Sequence, residues 1–326
     1  MDCLVTKLKG TVNDDSLLPL GGMFFKAVSN PSETPARRQL ILISSKSQVV
    51  TVVGGDNNFT KDSSMSSNFI NSMNLTANES NNVYCKDGNY NILVPDKYSL
   101  VQIGSWTNPL ITIGFNLESI KFSNGLKAIS ASAVGGNVEG DLSNLAGLNL
   151  RYISIGKNVY GDIKVIDEIN WSTETNIGGG MPAAFIVYSR DKKITGNITS
   201  LTGSSVLTQL GFSTQTGISG TLAQIAKKFP KLTYLDIPHT NITGNIKDIT
   251  CPLTRMGVYD CAGISGSLEQ FVATQRSHGR TAGTCSNGGY WTGNITFNGT
   301  PLGNEDEDEF SWTASQITCG ETTVNA

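Results

Sequence analysis

One pattern of apolar and polar positions recurs along this chain and carries most of its structural information. The pattern reads apolar-x-Gly-x-(Ile/Leu)-x-x-(Ile/Leu/Phe), as in NITGNIKDI at 241–249. Its copies are 21, 35, 24, 24, 22 and 27 residues apart and are centred on Gly140, Gly161, Gly196, Gly220, Gly244, Gly266 and, in a degraded form, Gly293. A repeat of roughly 20–29 residues predicts a solenoid, which favours a binding or scaffolding surface over an enzyme.

A second pattern upstream of the repeat glycines predicts a short strand. Before Gly244 it reads Leu232-x-x-Leu235-x-Ile237. Related triplets precede four other repeat glycines, at 150–155, 183–188, 207–212 and 253–258. Alternate positions of a strand face one side, so the last two apolar residues of each triplet point into one core. The apolar residues two before and two after the glycine are expected to join that core. The glycine suits a bend with positive φ or with no room for a Cβ atom.

The 35-residue interval between Gly161 and Gly196 exceeds one repeat. It contains Ile169-Asn170-Trp171 and three glycines at 178–180. We therefore expect one repeat plus a loop that bulges from one edge of the stack. A single repeat cannot bury its apolar face alone, whereas stacked repeats share a continuous core.

The residues outside the repeats have a different pattern. Apolar, β-branched runs predict strands at 39–43, 48–55, 90–94 and 110–113, and a polar stretch rich in Asn and Ser occupies 56–83. Segments around Trp291 and Trp312 are expected to cap the last repeat, because an open end would expose apolar core to water. The predicted fold class is mainly β with little helix, divided into an N-terminal β region at 1–115, a solenoid at 116–300 and a C-terminal cap at 301–326.

Composition narrows the classes of function. The chain has 326 residues, 38% hydrophobic and 16% charged, and its 35 glycines accompany many Thr, Ser and Asn residues, as in turn-rich β proteins. The net charge of −3 provides no basic field, so we expect no nucleic-acid partner. No stretch reaches transmembrane length and the first residues lack a signal-peptide pattern. We therefore expect no membrane partner and no secretory route.

Few residues offer catalytic or metal-binding chemistry, and we expect neither an enzyme nor a bound cofactor or metal. His239 falls in a strand-to-turn corner and His278 in a polar loop, where exposed or locally hydrogen-bonded side chains are typical. Asp141 and Asp162 hold equivalent positions of neighbouring repeats and resemble the paired carboxylates of glycosidases. Later repeats have Asn, Thr or Ser there, which favours a polar slot at a turn. The acidic run at 305–309 lacks the ligand spacing of a calcium loop and is expected to be solvated.

The cysteines and glycosylation sequons have structural interpretations. The six cysteines are Cys3, Cys85, Cys251, Cys261, Cys285 and Cys319. They show no Cys-x-x-Cys spacing, so reduced, partly buried thiols are favoured over a zinc site, and Cys261 and Cys285 are candidates to lie near each other. Sequons occur at Asn58, Asn74, Asn78, Asn170, Asn197, Asn241, Asn294 and Asn298. Several of these sequons fall inside the repeat phrase. We therefore interpret them as a by-product of a repeat rich in Thr and Asn, in preference to glycosylation sites.

Combined, the two patterns read L-x-x-L-x-L-x-x-(N/T)-x-(I/L)-(S/T)-G-x-(I/L) and resemble the leucine-rich repeat in its plant-like form. Four copies have Ser or Thr before the glycine: Thr195, Ser219, Thr243 and Ser265. The resemblance covers about 120–300 and is most specific at 183–272. It departs from the family at the corner, where Asn is often replaced by Thr or missing. It implies a curved or twisted stack with a parallel strand ladder, whose strand face commonly binds protein or glycan ligands.

The opening MDCLVTKLKGTVNDDSLLPLGG and the closing ITFNGTPLG…FSWTASQITCG resemble structural proteins of phages of Bacteroides-type gut bacteria, most nearly head fibres of crAss-like phages. This resemblance implies a virion protein made in the host cytoplasm and displayed on the capsid surface. It implies that 1–115, with an extended arm at its start, contacts capsid proteins. It further implies a homotrimer whose repeats bind a host-surface glycan or protein.

Two alternatives remain open from the sequence. A bacterial surface or secreted leucine-rich-repeat protein would bind a protein or glycan partner, and it predicts an export signal or a lipidation site. A carbohydrate-active enzyme on a β-solenoid rests on Asp141 and Asp162 alone.

Overall fold

The computed structural model describes residues 21–27, 38–53, 57–61, 63–64, 68–86, 88, 90–104, 114–131, 138–175, 180–189, 193–286, 294–302, 309–319 and 321–325. It is mainly β, with 45% strand and 16% helix, which confirms the predicted class. Several predictions lie outside the described residues: the N-terminal arm, the strand at 110–113, Trp291, Gly293 and the acidic run up to residue 308.

The N-terminal strands belong to two sheets. They are β1 Met23–Ala27, β2 Arg38–Ser44, β3 Gln48–Val53, β4 Phe59–Thr60, β5 Ser72–Leu75, β6 Asn81–Cys85 and β7 Tyr90–Val94. β1, β7, β3 and β5 form an antiparallel sheet in that order. β2 instead pairs with β6, so the strands predicted at 39–43 and 48–55 are confirmed but do not pair with each other. β4, β5 and the start of β6 lie in the polar stretch, where no strand is expected from the sequence.

Two parallel ladders run through the repeats. Their strands are β8 Leu100–Ile103, β9 Phe115–Asn116, β10 Ala128–Ala131, β11 Val138–Asp141, β12 Tyr152–Asp162, β13 Ala184–Ser189, β14 Ile194–Asn197, β15 Gln209–Ser213, β16 Gly217–Thr221, β17 Tyr234–Asp236, β18 Asn241–Asn245, β19 Arg255–Gly257, β20 Ile264–Ser267, β21 Gly283–Ser286 and β22 Ile295–Phe297. The first ladder has the order β8, β10, β12, β13, β15, β17, β19, β21. The second has the order β9, β11, β12, β14, β16, β18, β20, β22. The strands predicted from the leucine triplets are therefore confirmed.

A short helical segment follows most strands of the second ladder. Three are α-helices: α1 Val165–Glu168, α2 Leu222–Lys228 and α3 Leu268–Ser277. The 3₁₀ segments are Lys97–Ser99, Leu117–Ile120, Leu142–Leu145, Ile198–Ser200 and Ile246–Asp248. Except for α1, each begins after a polar side chain that accepts a backbone N–H of the first turn, which satisfies a donor that has no partner within the helix. Thr221 and Gln224 form a reciprocal capping box at α2.

The hydrophobic core lies between the two ladders and the helical segments. The apolar residues that flank the repeat glycines are fully buried: Val138, Leu142, Val159, Ile163, Ile194, Ile198, Ile218, Leu222, Ile242, Ile246, Ile264 and Leu268. This confirms that both flanking positions face one core. The same cluster of buried residues extends from Met23 to Cys319, and Phe25 of β1 contacts Phe115 edge-on at 5.5 Å. The N-terminal β region and the repeats therefore share their core.

The described repeat glycines bend the chain where two repeats touch. Their φ values run from +115° at Gly140 to +137° at Gly196. At Gly161 an added Cβ would lie 2.6 Å from Oδ1 of Asp141, the capping residue of the preceding repeat. Positive φ applies at every described repeat glycine, as the sequence predicts. Lack of room applies at all of them except Gly244, where the atom nearest to an added Cβ lies at an ordinary 3.5 Å.

Antiparallel strands cover both ends of the first ladder. At its start β2 pairs antiparallel with β8. The first ladder therefore begins at residues 100–103, before the boundary predicted at residue 115. At its end β21 pairs antiparallel with β24 Glu309–Trp312, followed by β25 Gln316–Cys319 and β26 Thr322–Asn325. β23 Thr300–Pro301 closes the second ladder in the same way. Trp312 is 2% exposed and contacts Phe271 edge-on at 5.5 Å, in the capping position predicted for it.

Candidate binding face

The outward side of the first ladder is the candidate site, because successive repeats hold its side chains in register. The inward positions are the buried residues Ile153, Phe185, Leu210, Leu235 and Met256. Their neighbours point outward in two rows, since side chains alternate along a strand. The first row is Ala128, Tyr152, Ala184, Gln209, Tyr234 and Arg255, and the second is Ser130, Ser154, Ile186, Gly211, Asp236 and Gly257.

The loop predicted in the 35-residue interval covers the N-terminal part of this face. Met181 is fully buried and packs with outward side chains of the ladder, Ala128, Tyr152, Ala184 and Ile186. Arg151 holds the loop at two points: Nε donates to the Met181 carbonyl at 2.8 Å and Nη1 donates to the Ser172 carbonyl at 3.1 Å. The loop therefore lies against the strand face rather than only bulging from an edge.

Beyond the loop, four polar side chains form what we term the tyrosine cluster: Tyr188, Tyr234, Asp236 and Arg255. The Tyr188 hydroxyl donates to Asp236 Oδ2 at 3.2 Å and lies 3.5 Å from the Tyr234 hydroxyl. The Arg255 guanidinium is 5.2 Å from the centroid of the Tyr234 ring, within cation–π distance. These residues come from β13, β17 and β19, so the cluster exists only because the repeats stack.

Glycines lie on both sides of Asp236 in the outward row. They are its register neighbours Gly211 of β15 and Gly257 of β19. Neither provides a side chain, so Asp236, a residue that is 7% exposed, is bordered there by backbone. Tyr188 and Tyr234 are half-buried beside it. A ligand that reaches this carboxylate therefore contacts aromatic rings at the same time.

Burial and the nearby carboxylate raise the pKa of both phenols above the ordinary value, so the phenols stay protonated into the alkaline range. Burial, and then the Asp236 charge, raise the pKa of Tyr234 to about 12, although the Arg255 charge lowers it in part. The same two causes, in the same order, raise the pKa of Tyr188. The cluster thus presents hydroxyl donors, a carboxylate acceptor and a guanidinium donor beside aromatic faces. Sugars and polar protein side chains both match this combination.

Asp141 and Asp162 act as backbone caps in the structure. Asp141 Oδ1 accepts the Ser143 N–H at 2.8 Å, and Asp162 Oδ1 accepts the Lys164 N–H at 2.8 Å. Asn197 makes the same bond in a later repeat. A polar slot at a turn therefore accounts for both carboxylates, which do not belong to the tyrosine cluster.

His239 lies at a corner between the two ladders and has φ +54°. Its Nδ1 is 3.3 Å from Oδ2 of Asp260, the corresponding corner residue of the next repeat, and its ring contacts Tyr259 edge-on at 5.2 Å. His278 is exposed at the C-terminal end of α3. The local roles predicted for both histidines are confirmed.

Cys85, Cys251 and Cys261 are buried and form no disulfide within the described part of the chain, and Cys319 is buried as well. Burial raises the pKa of Cys85 and of Cys251 to about 12, so these thiols stay protonated. Cys261 donates through Sγ to the Ile237 carbonyl at 3.0 Å. Buried thiols without a disulfide, as predicted, are therefore found at Cys85, Cys251 and Cys261, whereas the Cys285 side chain lies outside the described atoms.

Several sequon asparagines bind the backbone of a neighbouring repeat. The Asn170 amide donates to the Gly147 carbonyl at 3.0 Å and the Asn294 amide to the Ala262 carbonyl at 3.0 Å. Asn241 donates to the Thr216 carbonyl at 2.6 Å. These bonds supply a structural reason for asparagine at the three positions.

In comparisons with known proteins, no family model, no curated protein and no solved structure matches the chain. Among the described residues, no group of three His, Cys, Asp or Glu side chains is arranged to hold a metal ion. The described part of the chain has no helix of the length and apolarity needed to cross a membrane.

The tyrosine cluster is the feature that inspection of motifs misses. Tyr234, Asp236 and Arg255 occupy variable x positions of the L-x-x-L-x-L triplets, where no single repeat draws attention to them. Tyr188 instead ends the triplet at 183–188, and the prediction that Ile186 and Tyr188 point into the core is wrong. Phe185 and Val187 hold the inward positions of this strand, in register with Leu210 and Phe212. Aligning the triplets and comparing the x positions places Gln209, Tyr234 and Arg255 side by side. Asp236 then stands between two glycines in the adjacent row. The tyrosine cluster can therefore be found by comparing equivalent positions of successive repeats, and not by inspecting a single repeat.

Proposed function

We propose that the two ladders are the strand layers of a solenoid similar to the leucine-rich repeat. Three observations support this: one strand per repeat in each ladder, buried apolar residues on both sides of each described repeat glycine, and caps at both ends of the first ladder. The outward face of the first ladder corresponds to the strand face of that family. The departures at the corner are Gln215, Thr240 and Cys261, each hydrogen-bonded to nearby backbone.

We propose that the protein is a virion structural protein, a head fibre or capsid decoration. Its N-terminal region attaches to capsid proteins, and its repeats are displayed outward to bind a host-surface glycan or protein. The tyrosine cluster is the observation that carries the adhesive role, because it concentrates aromatic and charged groups on an accessible face. The resemblance of the two ends of the chain to phage structural proteins supports the virion assignment.

Exposed apolar side chains in the N-terminal region support attachment and a homotrimer. Val49 is 46% exposed, Ile70 41% and Tyr98 48%. β5 is an edge strand of the antiparallel sheet among the described residues. An unpaired edge and exposed apolar groups are features that an assembly covers.

Mass spectrometry of purified phage particles tests the virion assignment. Peptides of this chain should co-purify with capsid protein at constant stoichiometry. A variant lacking residues 1–20, which keeps the buried strand β1, should be absent from particles. Recovery of the chain in the bacterial envelope without particles would instead favour the bacterial surface protein. Adhesion is tested separately: Tyr234→Ala should abolish binding of particles to host cells, whereas the exposed Thr199→Ala should not.

A further inference from the structure

A cleft of about 820 Å³ opens where the N-terminal β region meets the start of the first ladder. Ile43 of β2 and Val101 of β8 line it from one part of the chain. Residues 173–175 of the loop over the strand face line it from another, more than 70 residues away along the chain. The cleft is separate from the tyrosine cluster, since the two share no residue.

The loop wall of the cleft is held in place by several bonds. Arg151 binds the carbonyls of Ser172 and Met181 on either side of it, and the Ser172 N–H donates to the Leu150 carbonyl at 2.9 Å. Lys127 Nζ is 3.7 Å from Glu174 Oε1, which ties the wall to the residue before β10. The cleft is therefore formed before any ligand arrives, as is usual for small-molecule sites.

The lining offers polar groups that the described protein does not use. The side chains of Asn78, Thr173 and Thr175 form no hydrogen bond within the described part of the chain. Gln102 is 2% exposed; its Nε2 donates to the Gly104 carbonyl at 2.7 Å, whereas its Oε1 has no hydrogen-bond partner there. Buried polar groups are normally satisfied, so the unpartnered Oε1 of Gln102 favours a polar occupant, and the exposed side chains of Asn78, Thr173 and Thr175 are free to contact it.

The chemistry of the lining selects the class of ligand. Amide and hydroxyl groups both donate and accept hydrogen bonds. They therefore match a ligand whose own groups do both, and the simplest such group is an alcohol hydroxyl. Lys127 and Glu174 neutralise each other, so no net charge remains to attract an ion. Ile43 and Val101 supply apolar surface for C–H groups. The volume lies within the range typical of small-ligand pockets.

We propose that this cleft binds a neutral sugar, one or two residues of a glycan. The inference requires neither the phage assignment nor the tyrosine cluster, so it is tested on the purified full chain. Saturation-transfer NMR and calorimetry with glucose, galactose, mannose, N-acetylglucosamine, lactose, cellobiose and diacetylchitobiose should identify at least one binder. Glucuronic acid and N-acetylneuraminic acid, which carry a charge, should bind more weakly than the best neutral sugar.

Variants of exposed cleft residues locate the binding. Thr173→Val removes one hydrogen-bonding group and should weaken affinity about tenfold. Thr175→Trp removes no described hydrogen bond and should abolish binding by filling the mouth of the cleft. Thr199→Ala, an exposed change outside both the cleft and the tyrosine cluster, is the control and should leave sugar affinity unchanged.

Three outcomes overturn the proposal. The first is no binding by any member of the panel at millimolar concentration. The second is a sugar affinity that places the site outside the cleft. Affinity that survives both Thr173→Val and Thr175→Trp would do so, and affinity lost in Tyr234→Ala would place the site at the tyrosine cluster. The third is tighter binding of the charged sugars, which would contradict a neutral ligand. Because circular dichroism reports folding of each variant, loss of binding through unfolding is recognised directly.

Discussion

Replacing Gly220 with alanine tests whether close contact between repeats is what requires the repeat glycines. Gly220 has φ +133°, and an added Cβ would lie 2.7 Å from the Cβ of Ile198 in the preceding repeat. Ile198 is fully buried, and its Cβ is bonded directly to the backbone. A change of rotamer cannot relieve this clash, so β16 or the 3₁₀ segment at 198–200 must move.

Two contributions set the size of the effect. A side chain in the left-handed region costs roughly 1–2 kcal/mol, and overpacking a fixed core costs about 1–3 kcal/mol. We therefore expect Gly220→Ala to lower the free energy of unfolding by about 2–5 kcal/mol. Gly279 is the matched control, because it has φ +81° and no atom within 4 Å of an added Cβ. Gly279→Ala carries only the backbone contribution, about 1–2 kcal/mol.

Urea unfolding followed by circular dichroism measures both variants against the natural sequence. The midpoints report stability only if the dependence of the unfolding free energy on urea concentration is the same in all variants. Stacked repeats can lose two-state unfolding, and a changed slope would reveal this. Hydrogen exchange should accelerate most at the amides of β14, β16 and β18. Equal destabilisation by the two substitutions would refute the reasoning, because crowding between repeats would then contribute nothing.

Trp312→Ala should lower the free energy of unfolding, measured in urea, by about 3–5 kcal/mol, because residue 312 is only 2% exposed in the C-terminal cap. Substitution of the exposed Ser315 by alanine is the control. Equal stability of the two variants would contradict a capping role for Trp312. Ultraviolet titration should show Tyr234 ionising near pH 12 instead of 10. Because the folded pKa of Tyr234 is raised, its contribution to stability is complete below about pH 10 and is lost as the pH rises towards 12. Tyr188 acts in the same direction. An unfolding midpoint that stays constant across this pH range would exclude this contribution. Cys251, with its pKa raised to about 12 by burial, should react with a thiol reagent only after unfolding, and rapid labelling of the folded protein would show that the thiol is accessible.

The repeat phrase specifies local structure because it combines two independent constraints. Period-2 triplets such as Leu232, Leu235 and Ile237 produce strands, and a glycine with an apolar residue on each side produces a bend that buries both. The variable polar residue after the glycine is also predictable. Asp, Asn, Thr and Ser all supply an oxygen for capping, which is why the position tolerates each of them.

Strand pairing in the N-terminal region is not predictable in the same way. β2 and β3 are joined by a short polar link that suits a hairpin, yet β2 pairs with β6 and β8 while β3 pairs with β5 and β7. Their buried residues, such as Leu40 and Val50, lie on strands of different sheets. Which partner a strand takes depends on the surfaces available after the chain collapses, and these come from distant segments.

The amino-acid sequence by itself determined the repeat length, the strands, the bends and the capping positions, because each depends on residues a few positions apart. Only the tertiary structure decided the candidate sites. Tyr188 and Asp236 are 48 residues apart in the chain and 3.2 Å apart in space, since stacking brings equivalent positions of successive repeats together. The cleft likewise requires the loop held by Arg151 to return to the strand face. Both sites depend on the register between repeats, which no single repeat encodes.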